Sequence, residues 1–216
     1  MSEPRELHDA ERMKFFTDAV VAIAITLLIL PLLDSVSKAA SNGVDTAEFL
    51  RTHGDEMFTF VLSFVLIARF WVSHERLFAL VEKWTGWLMV LNIAWMFTVV
   101  ILPVVTAMVG SMETDNLQIL LYVGTMLANS LVMTAMVLVV RREPALWMPN
   151  THPGFEGLAG SLAVSALFVV ALALALFAPG VGYLAMFVLL LSGPLQVVLQ
   201  RRLATREVSR QQRTPR

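Results

Sequence analysis

Phe15-Phe16-Thr17-Asp18-Ala19-Val20-Val21-Ala22-Ile23-Ala24-Ile25-Thr26-Leu27-Leu28-Ile29-Leu30 is the stretch on which the fold turns. Asp18 is its only charged residue, and the apolar run continues to Leu33. Crossing roughly 30 Å of hydrocarbon takes about 20 apolar residues at about 1.5 Å of helical rise each, so Phe15 to Leu33 predicts a membrane-spanning helix. Five more stretches meet the same criterion: Met57 to Leu77, Trp87 to Val109, Leu117 to Val140, Leu158 to Phe177 and Val181 to Leu199. The breaks between them carry turn chemistry, such as Ser41-Asn42-Gly43, Pro149-Asn150, His152-Pro153-Gly154 and Pro179-Gly180. The expectation is an all-α membrane protein, one domain over 1–216 with six transmembrane helices (15–33, 57–77, 87–109, 117–140, 158–177, 181–199) and a short basic tail, 200–216.

Composition agrees. The chain of 216 residues is 57% hydrophobic and 15% charged, where a soluble domain has about half apolar and about a quarter charged residues. Its mean hydropathy is +0.70. With no cysteine, a disulfide framework, a thiolate metal site and a cysteine nucleophile are excluded. The first apolar stretch lacks a small-residue cleavage site and is read as a retained helix, not a signal peptide. Met1 to Glu11 is expected to be a frayed lead-in.

The basic residues are distributed unevenly. Arg5, Arg12 and Lys14 precede the first span, Arg76 and Lys83 follow the second, Arg141 and Arg142 follow the fourth, and Arg201, Arg202, Arg206, Arg210, Arg213 and Arg216 fill the tail. The opposite loops hold only Lys38 and Arg51. Positive charge stays on the cytoplasmic side, so both termini are expected there, in the cell membrane. Trp84, Trp87 and Trp147 fall near span ends, where their rings suit the interface.

Pro31, Pro103 and Pro194 lie in or near the ends of spans and predict kinks, static or hinged. Small residues of the fifth span, Ala163, Ala166, Ala171, Ala173 and Ala175, predict close helix packing. The run Gly180-Val181-Gly182-Tyr183 looks like part of a carbonyl filter, but no pore helix precedes it and no glycine follows Tyr183. It is read as a tight turn.

Ionisable groups inside a membrane are expensive, and Asp18, Arg69 and His74 are the three here. Asp18 and His74 share a depth at the same end of their helices, so a carboxylate, imidazole and guanidinium network is one reading. The other is that Asp18 caps a helix start while Arg69 snorkels. Thr17 can bond locally. Asn92, Asn129 and Ser130 are read as interhelical glue, and His53, Asp55 and Glu56 as a solvated loop and not a metal site. Along the first helix, Ala19, Ile23, Thr26, Leu27 and Leu30 form one stripe. The pattern leaves three environments open for it: lipid, another helix, or a common axis where rings of aliphatic side chains gate by dewetting.

Arg12-Met13-Lys14-Phe15-Phe16-Thr17-Asp18, followed by Ala22-Ile23-Ala24-Ile25-Thr26-Leu27-Leu28, resembles the signature of the endosomal and lysosomal potassium channels, the transmembrane protein 175 family, in its short bacterial form. The family's motif is an arginine, three residues, then Phe-Ser-Asp; Thr17 here keeps the serine's hydroxyl. The resemblance implies a symmetric oligomer with the first helix lining a central pore, constricted at Ile23 with further layers at Thr26, Leu27 and Leu30. It also implies that Arg12, Phe16, Thr17 and Asp18 hold the helix ends together, with Trp71 and His74 of the second span as partners. Bacterial members are similar in being homotetramers, whereas the longer animal proteins carry two repeats and dimerise.

The function expected is therefore passive conduction favouring K⁺, with K⁺ as the permeant ion and no cofactor. The expected partners are further copies of the chain, lipid and cations, and not nucleic acid, since the basic tail suits anionic headgroups. The rival is a proton-coupled transporter using Asp18 and His74 as a relay. An enzyme is not expected, because no nucleophile, metal-ligand spacing or paired carboxylates converge.

Overall fold

The computed structural model of the protein describes residues 8–149, 151 and 155–177. The expected sixth span 181–199, the tail 200–216, Arg5, Asn150, His152-Pro153-Gly154, Pro179-Gly180, Pro194 and the Gly180-Val181-Gly182-Tyr183 run lie outside the described residues.

The chain enters through a two-residue strand, β1 (His8–Asp9), before helix α1 (Glu11–Leu27). The first span differs from expectation, because α1 gives way at Leu28 and Ile29 to a second helix, α2 (Leu30–Ser41). Pro31 sits in the first turn of α2, where its fixed φ fits and its missing N–H breaks no bond of that helix. Gly43, with φ 71°, ends α2 in a conformation that glycine adopts without strain. A short helix α3 (Thr46–Thr52) follows, with Asp45 accepting the Glu48 N–H at 2.8 Å.

Helix α4 (Gly54–Phe78) runs back to a strand β2 (Lys83–Trp84), and Thr85 caps helix α5 (Gly86–Ser111). Asp115 caps α6 (Asn116–Arg142) by accepting the Gln118 N–H at 2.6 Å. A 3-10 turn (Pro144–Leu146) leads towards α7 (Phe155–Phe177). Pro103 is buried inside an uninterrupted α5. Among the described residues, five helical stretches are long and apolar enough to cross a membrane: Glu11–Ser41, Gly54–Phe78, Gly86–Ser111, Asn116–Arg142 and Gly157–Phe177.

Helices α5 and α6 form the centre of the bundle, with α7 against α6 and both α1 and α4 against α5. Trp95, Leu102, Met126 and Met136 are fully enclosed there. Between the apolar layers, buried hydroxyls and amides tie helices together, which gives these groups partners where water is absent. Thr106 donates to Ser63 at 2.8 Å and Ser63 shares a 3.0 Å bond with the Tyr122 hydroxyl, joining α4, α5 and α6. Asn129 donates to Thr98 at 2.7 Å, and Ser130 bonds Ser165 at 2.7 Å, so the glue expected of Asn129 and Ser130 is present. In α7 the packed face is narrower than its alanine content implies: Ala171 and Ala175 are buried beside Ser161, Ser165 and Phe168, while Ala166 and Ala173 face outward.

The architecture is helical as expected, and one expectation needs correction at the amino end: two-residue strands β1 and β2 pair antiparallel, His8 opposite Trp84 and Asp9 opposite Lys83. The lead-in is thus held from His8 onward, not frayed. The Ala10 N–H donates to the Glu82 carbonyl, the Glu82 N–H to Leu146 and the Met148 N–H to Leu80, each at 2.9 Å. Backbone bonding needs no particular side chain, which is why hydropathy gave no sign of this clasp. It gathers the start of α1, the α4–α5 turn and the segment after α6 at one end. The elements that meet there carry Arg12, Lys14, Arg76, Lys83, Arg141 and Arg142.

Candidate functional site: the open face of the first helix and the network behind it

Helix α1 has two unlike faces. Thr17, Val21, Ala24 and Leu28 are buried, recurring every three or four residues towards α4 and α5. The opposite stripe is open: Ile23 is 60% exposed, Leu27 40% and Leu30 52%, and Ala19, Ala22 and Thr26 are exposed with them. Apolar side chains at that exposure lie on a surface that lipid, another chain or a lumen must meet. The Thr26 hydroxyl donates to the Ile23 carbonyl at 2.8 Å. Its proton is thereby committed to the backbone, and only acceptor lone pairs are left to face outward.

The buried face is held by a polar relay that crosses three helices. Thr17 donates to the Met13 carbonyl at 2.9 Å and accepts from the Asn92 amide nitrogen at 2.8 Å. The Asn92 oxygen then lies 2.7 Å from His74 Nε2. Because the amide nitrogen is spent on Thr17, the imidazole must be the donor in that last bond, which assigns the Nε2–H tautomer. His74 is stacked between Phe78, with centroids 4.3 Å apart, and Trp95, at 4.4 Å. The two stacked neighbours fix the plane of the ring, and the bond to Asn92 fixes which nitrogen points at it. Thr17, His74 and Asn92 are all buried.

One residue on, the chain turns outward. Asp18 is half-buried, and its carboxylate accepts the Trp71 indole N–H at 2.7 Å. Asp18 and His74 are thus each committed to a different partner, Trp71 and Asn92, and no bond between the two is recorded among the described residues. The structure brings Thr17, Asp18, Trp71 and His74 together across α1 and α4. Arg12 and Phe16 stand exposed on the other side and do not join that network within the chain. Arg69 is half-buried on α4, and His53 stacks on Phe49 with centroids 4.4 Å apart.

Asn92, read from the sequence as interhelical glue, bonds across three helices. It was legible as a polar residue in an apolar span, but its partners lie on α1 and α4 and only the packing of three helices reveals them. Substitutions at Asp18 separate charge from hydrogen bonding. Asp18→Asn keeps an oxygen for Trp71 and is expected to leave the melting temperature almost unchanged, whereas Asp18→Ala strands the indole N–H and is expected to cost about 1 kcal/mol. Thermal unfolding in detergent checks both; equal melting temperatures would show that the bond adds nothing.

Residues 12–103, which hold α1 to most of α5 and with them this whole network, match the family described as Endosomal/lysosomal potassium channel TMEM175. A potassium channel of Streptomyces collinus is 34% identical over 149 residues, 68% of this chain and 68% of that protein. The chain belongs to the TMEM175 family. The human member, named an endosomal/lysosomal proton channel, is 27% identical over 142 residues, which is 65% of this chain but only 28% of that longer protein. A solved structure, that of a lysosomal potassium-selective channel TMEM175 homolog from Chamaesiphon minutus, superposes with a TM-score of 0.62 at 22% identity, covering 91% of this chain and 97% of that one. The likeness in fold extends beyond the matched segment, and membership of the family, with five apolar helices among the described residues, makes this an integral membrane protein.

Proposed function

We propose that the chain is one subunit of a cation channel that conducts K⁺ in preference to Na⁺, in which α1 from four copies surrounds a common axis. The observation that carries this reading is the open stripe of α1. Ile23, Leu27 and Leu30 are turned away from their own bundle on a helix whose opposite face is fastened by Thr17, Asn92 and His74. Family membership and the names of the bacterial relatives support it. A chain with a single such helix closes a pore only by symmetry.

In this reading the ring of Ile23 side chains is the narrowest point, with Thr26, Leu27 and Leu30 in successive layers. Selectivity comes from partial dehydration in an aliphatic neck, since K⁺ releases its water more readily than Na⁺. The acceptor oxygens of Thr26 replace part of what is lost. Asp34, exposed on α2, raises the local cation concentration at the outer mouth to an extent limited by salt. Both termini lie in the cytoplasm and the protein resides in the cell membrane, with the clasped basic end inward as the positive-inside rule requires. Arg12 and Phe16, exposed in one chain, meet neighbouring copies. Permeation needs no cofactor.

Purified protein in liposomes, with no proton gradient imposed, tests the proposal. K⁺ efflux is expected to exceed Na⁺ efflux. Equal rates for the two ions, or flux that appears only with a pH gradient, would remove it and favour the transporter reading.

A further inference from the structure

Helices α1 and α2 are held to the bundle very differently. From Ala10 to Leu28 the first is fastened: the Ala10 N–H is bonded to the Glu82 carbonyl, Thr17 to Asn92 and Asp18 to Trp71, and Val21, Ala24 and Leu28 are buried. In α2 only Ala39 is buried, and Leu33 and Val36 stand 50% and 43% exposed. The helix leans on α4 without a hydrogen bond to it among the described residues. Its one recorded side-chain bond stays inside it, from Ser41 to the Ser37 carbonyl. Where its backbone bonds leave the helix, they reach the adjoining Ile29 and 42–44. Helix α3, next in the chain, buries no residue at all.

The two helices are joined at a place built to bend. Leu28 and Ile29 interrupt the helical run, and their N–H groups reach back three residues, to Ile25 at 3.3 Å and to Thr26 at 3.4 Å. Three-residue bonds part-way along a span have poorer geometry than four-residue ones and mark a hinge or a strained sequence. Pro31, two residues on, has no N–H with which to brace the turn behind it. At the far end, Gly43 takes φ 71° with no atom within 4 Å of where a Cβ would stand, which makes a second joint. Helix α2 is thus an arm of 12 residues between two joints, about 18 Å long. A swing of about 20°, the size of an ordinary proline kink, carries its far end about 6 Å.

We infer that α2 is a hinged gate, which pivots at Leu28 and Ile29 and widens or narrows the mouth of the pore beyond Ile23 while α1 stays clamped. The inference rests on the reading of α1 as the pore helix. The gate is separate from the neck, because Ile23 belongs to a helix that polar ties hold in place, whereas the arm has none. Leu30 and Asp34 are exposed one turn apart on the arm. A swing towards the axis crowds the ions' path with leucine, which gates by dewetting, and a swing away leaves the carboxylate beside a wider, wet mouth. Pro31→Ala supplies an N–H and favours helix, so it stiffens the junction without adding bulk and is not expected to fail in folding.

The chain has no cysteine, so two introduced cysteines are the only sites for spin labels. Lys38→Cys with Leu117→Cys joins the arm to the start of α6, and Phe15→Cys with Arg142→Cys joins α1 to the end of α6 as the control; all four positions are exposed. Distances are read by double electron–electron resonance in lipid nanodiscs, with labelled copies mixed into an excess of the natural chain so that each distance lies within one copy. The expected result is two arm distances about 6 Å apart and a single control distance. Pro31→Ala is expected to leave one arm distance and to change K⁺ flux about fivefold or more, in the direction set by the position it keeps. An arm distance as sharp as the control, or two that survive in Pro31→Ala, would overturn the hinge. Flux that responds to Ile23→Asn but not to Pro31→Ala would overturn the gate and leave the pore intact. Flux indifferent to both would overturn the pore reading itself and the gate with it.

Discussion

Ile23→Asn is expected to raise K⁺ flux about tenfold and to weaken the preference over Na⁺, a change that corresponds to lowering the permeation barrier by about 1.4 kcal/mol. Ile23 is 60% exposed on α1, so the substitution removes little packing within the chain and leaves folding intact. Its effect falls on the axis. In the proposed tetrameric pore, four isoleucines would offer an ion no polar contact and hold the neck dry, whereas four amides would offer both donors and acceptors and keep it wet. An ion crossing the amide ring retains or replaces more of its hydration, and the difference between the dehydration costs of K⁺ and Na⁺ stops mattering. Conductance and selectivity must therefore move in opposite directions. Flux measured separately in K⁺ and Na⁺ liposomes reads both quantities, with thermal melting as the control for folding. Unchanged flux in a correctly folded variant would remove Ile23 from the pore.

Asn92→Leu is expected to be the most destabilising single change in the polar network. Leucine repeats the branched heavy-atom skeleton of asparagine with bulkier methyl groups, so it still fills the space between α1, α4 and α5 while both amide groups vanish. Thr17 still donates to the Met13 carbonyl and stays satisfied. His74 does not. Its Nε2–H, clamped between Phe78 and Trp95, loses its acceptor at a buried site that excludes water, at a cost of about 1–3 kcal/mol. The tie between α1 and α5 is lost as well, for which membrane helix bonds average about 0.6 kcal/mol. The melting temperature in detergent should fall clearly, and a Thr17→Val, Asn92→Leu double mutant should be less destabilised than the sum of the single changes because the two residues share a bond. Additive effects, or an unchanged melting temperature, would show that the three-helix relay is incidental to stability.

The two predictions draw on opposite faces of one helix, and those faces were unequally legible. The open stripe could be written down from the spacing of Ile23, Leu27 and Leu30, because periodicity on a helix is a local property. What lay outside that stripe could not be read from spacing. The motif pointed to Thr17, Asp18, Trp71 and His74, but pairing Asp18 with His74 was the natural guess from depth alone. The packing instead gives Asp18 to Trp71 and His74 to Asn92. Tyr122, Ser63 and Thr106 passed unremarked for the same reason. A hydroxyl in an apolar run becomes informative only when its partner on another helix is known.

By itself the sequence determined where the apolar helices lie, which of their ends carry the basic residues, and which residues of α1 share a stripe. These follow from composition and periodicity over a few turns, and each residue contributes to them without reference to the rest of the chain. Tertiary structure alone decided that α1 ends at Leu27 and α2 begins at Leu30, that β1 and β2 clasp one end of the bundle, and that Asn92 stands between Thr17 and His74. Each of these is a hydrogen-bonding outcome. A backbone or amide group must find a partner once water is excluded, and which partner it finds depends on segments far apart in sequence that only the packed fold brings within 3 Å of one another.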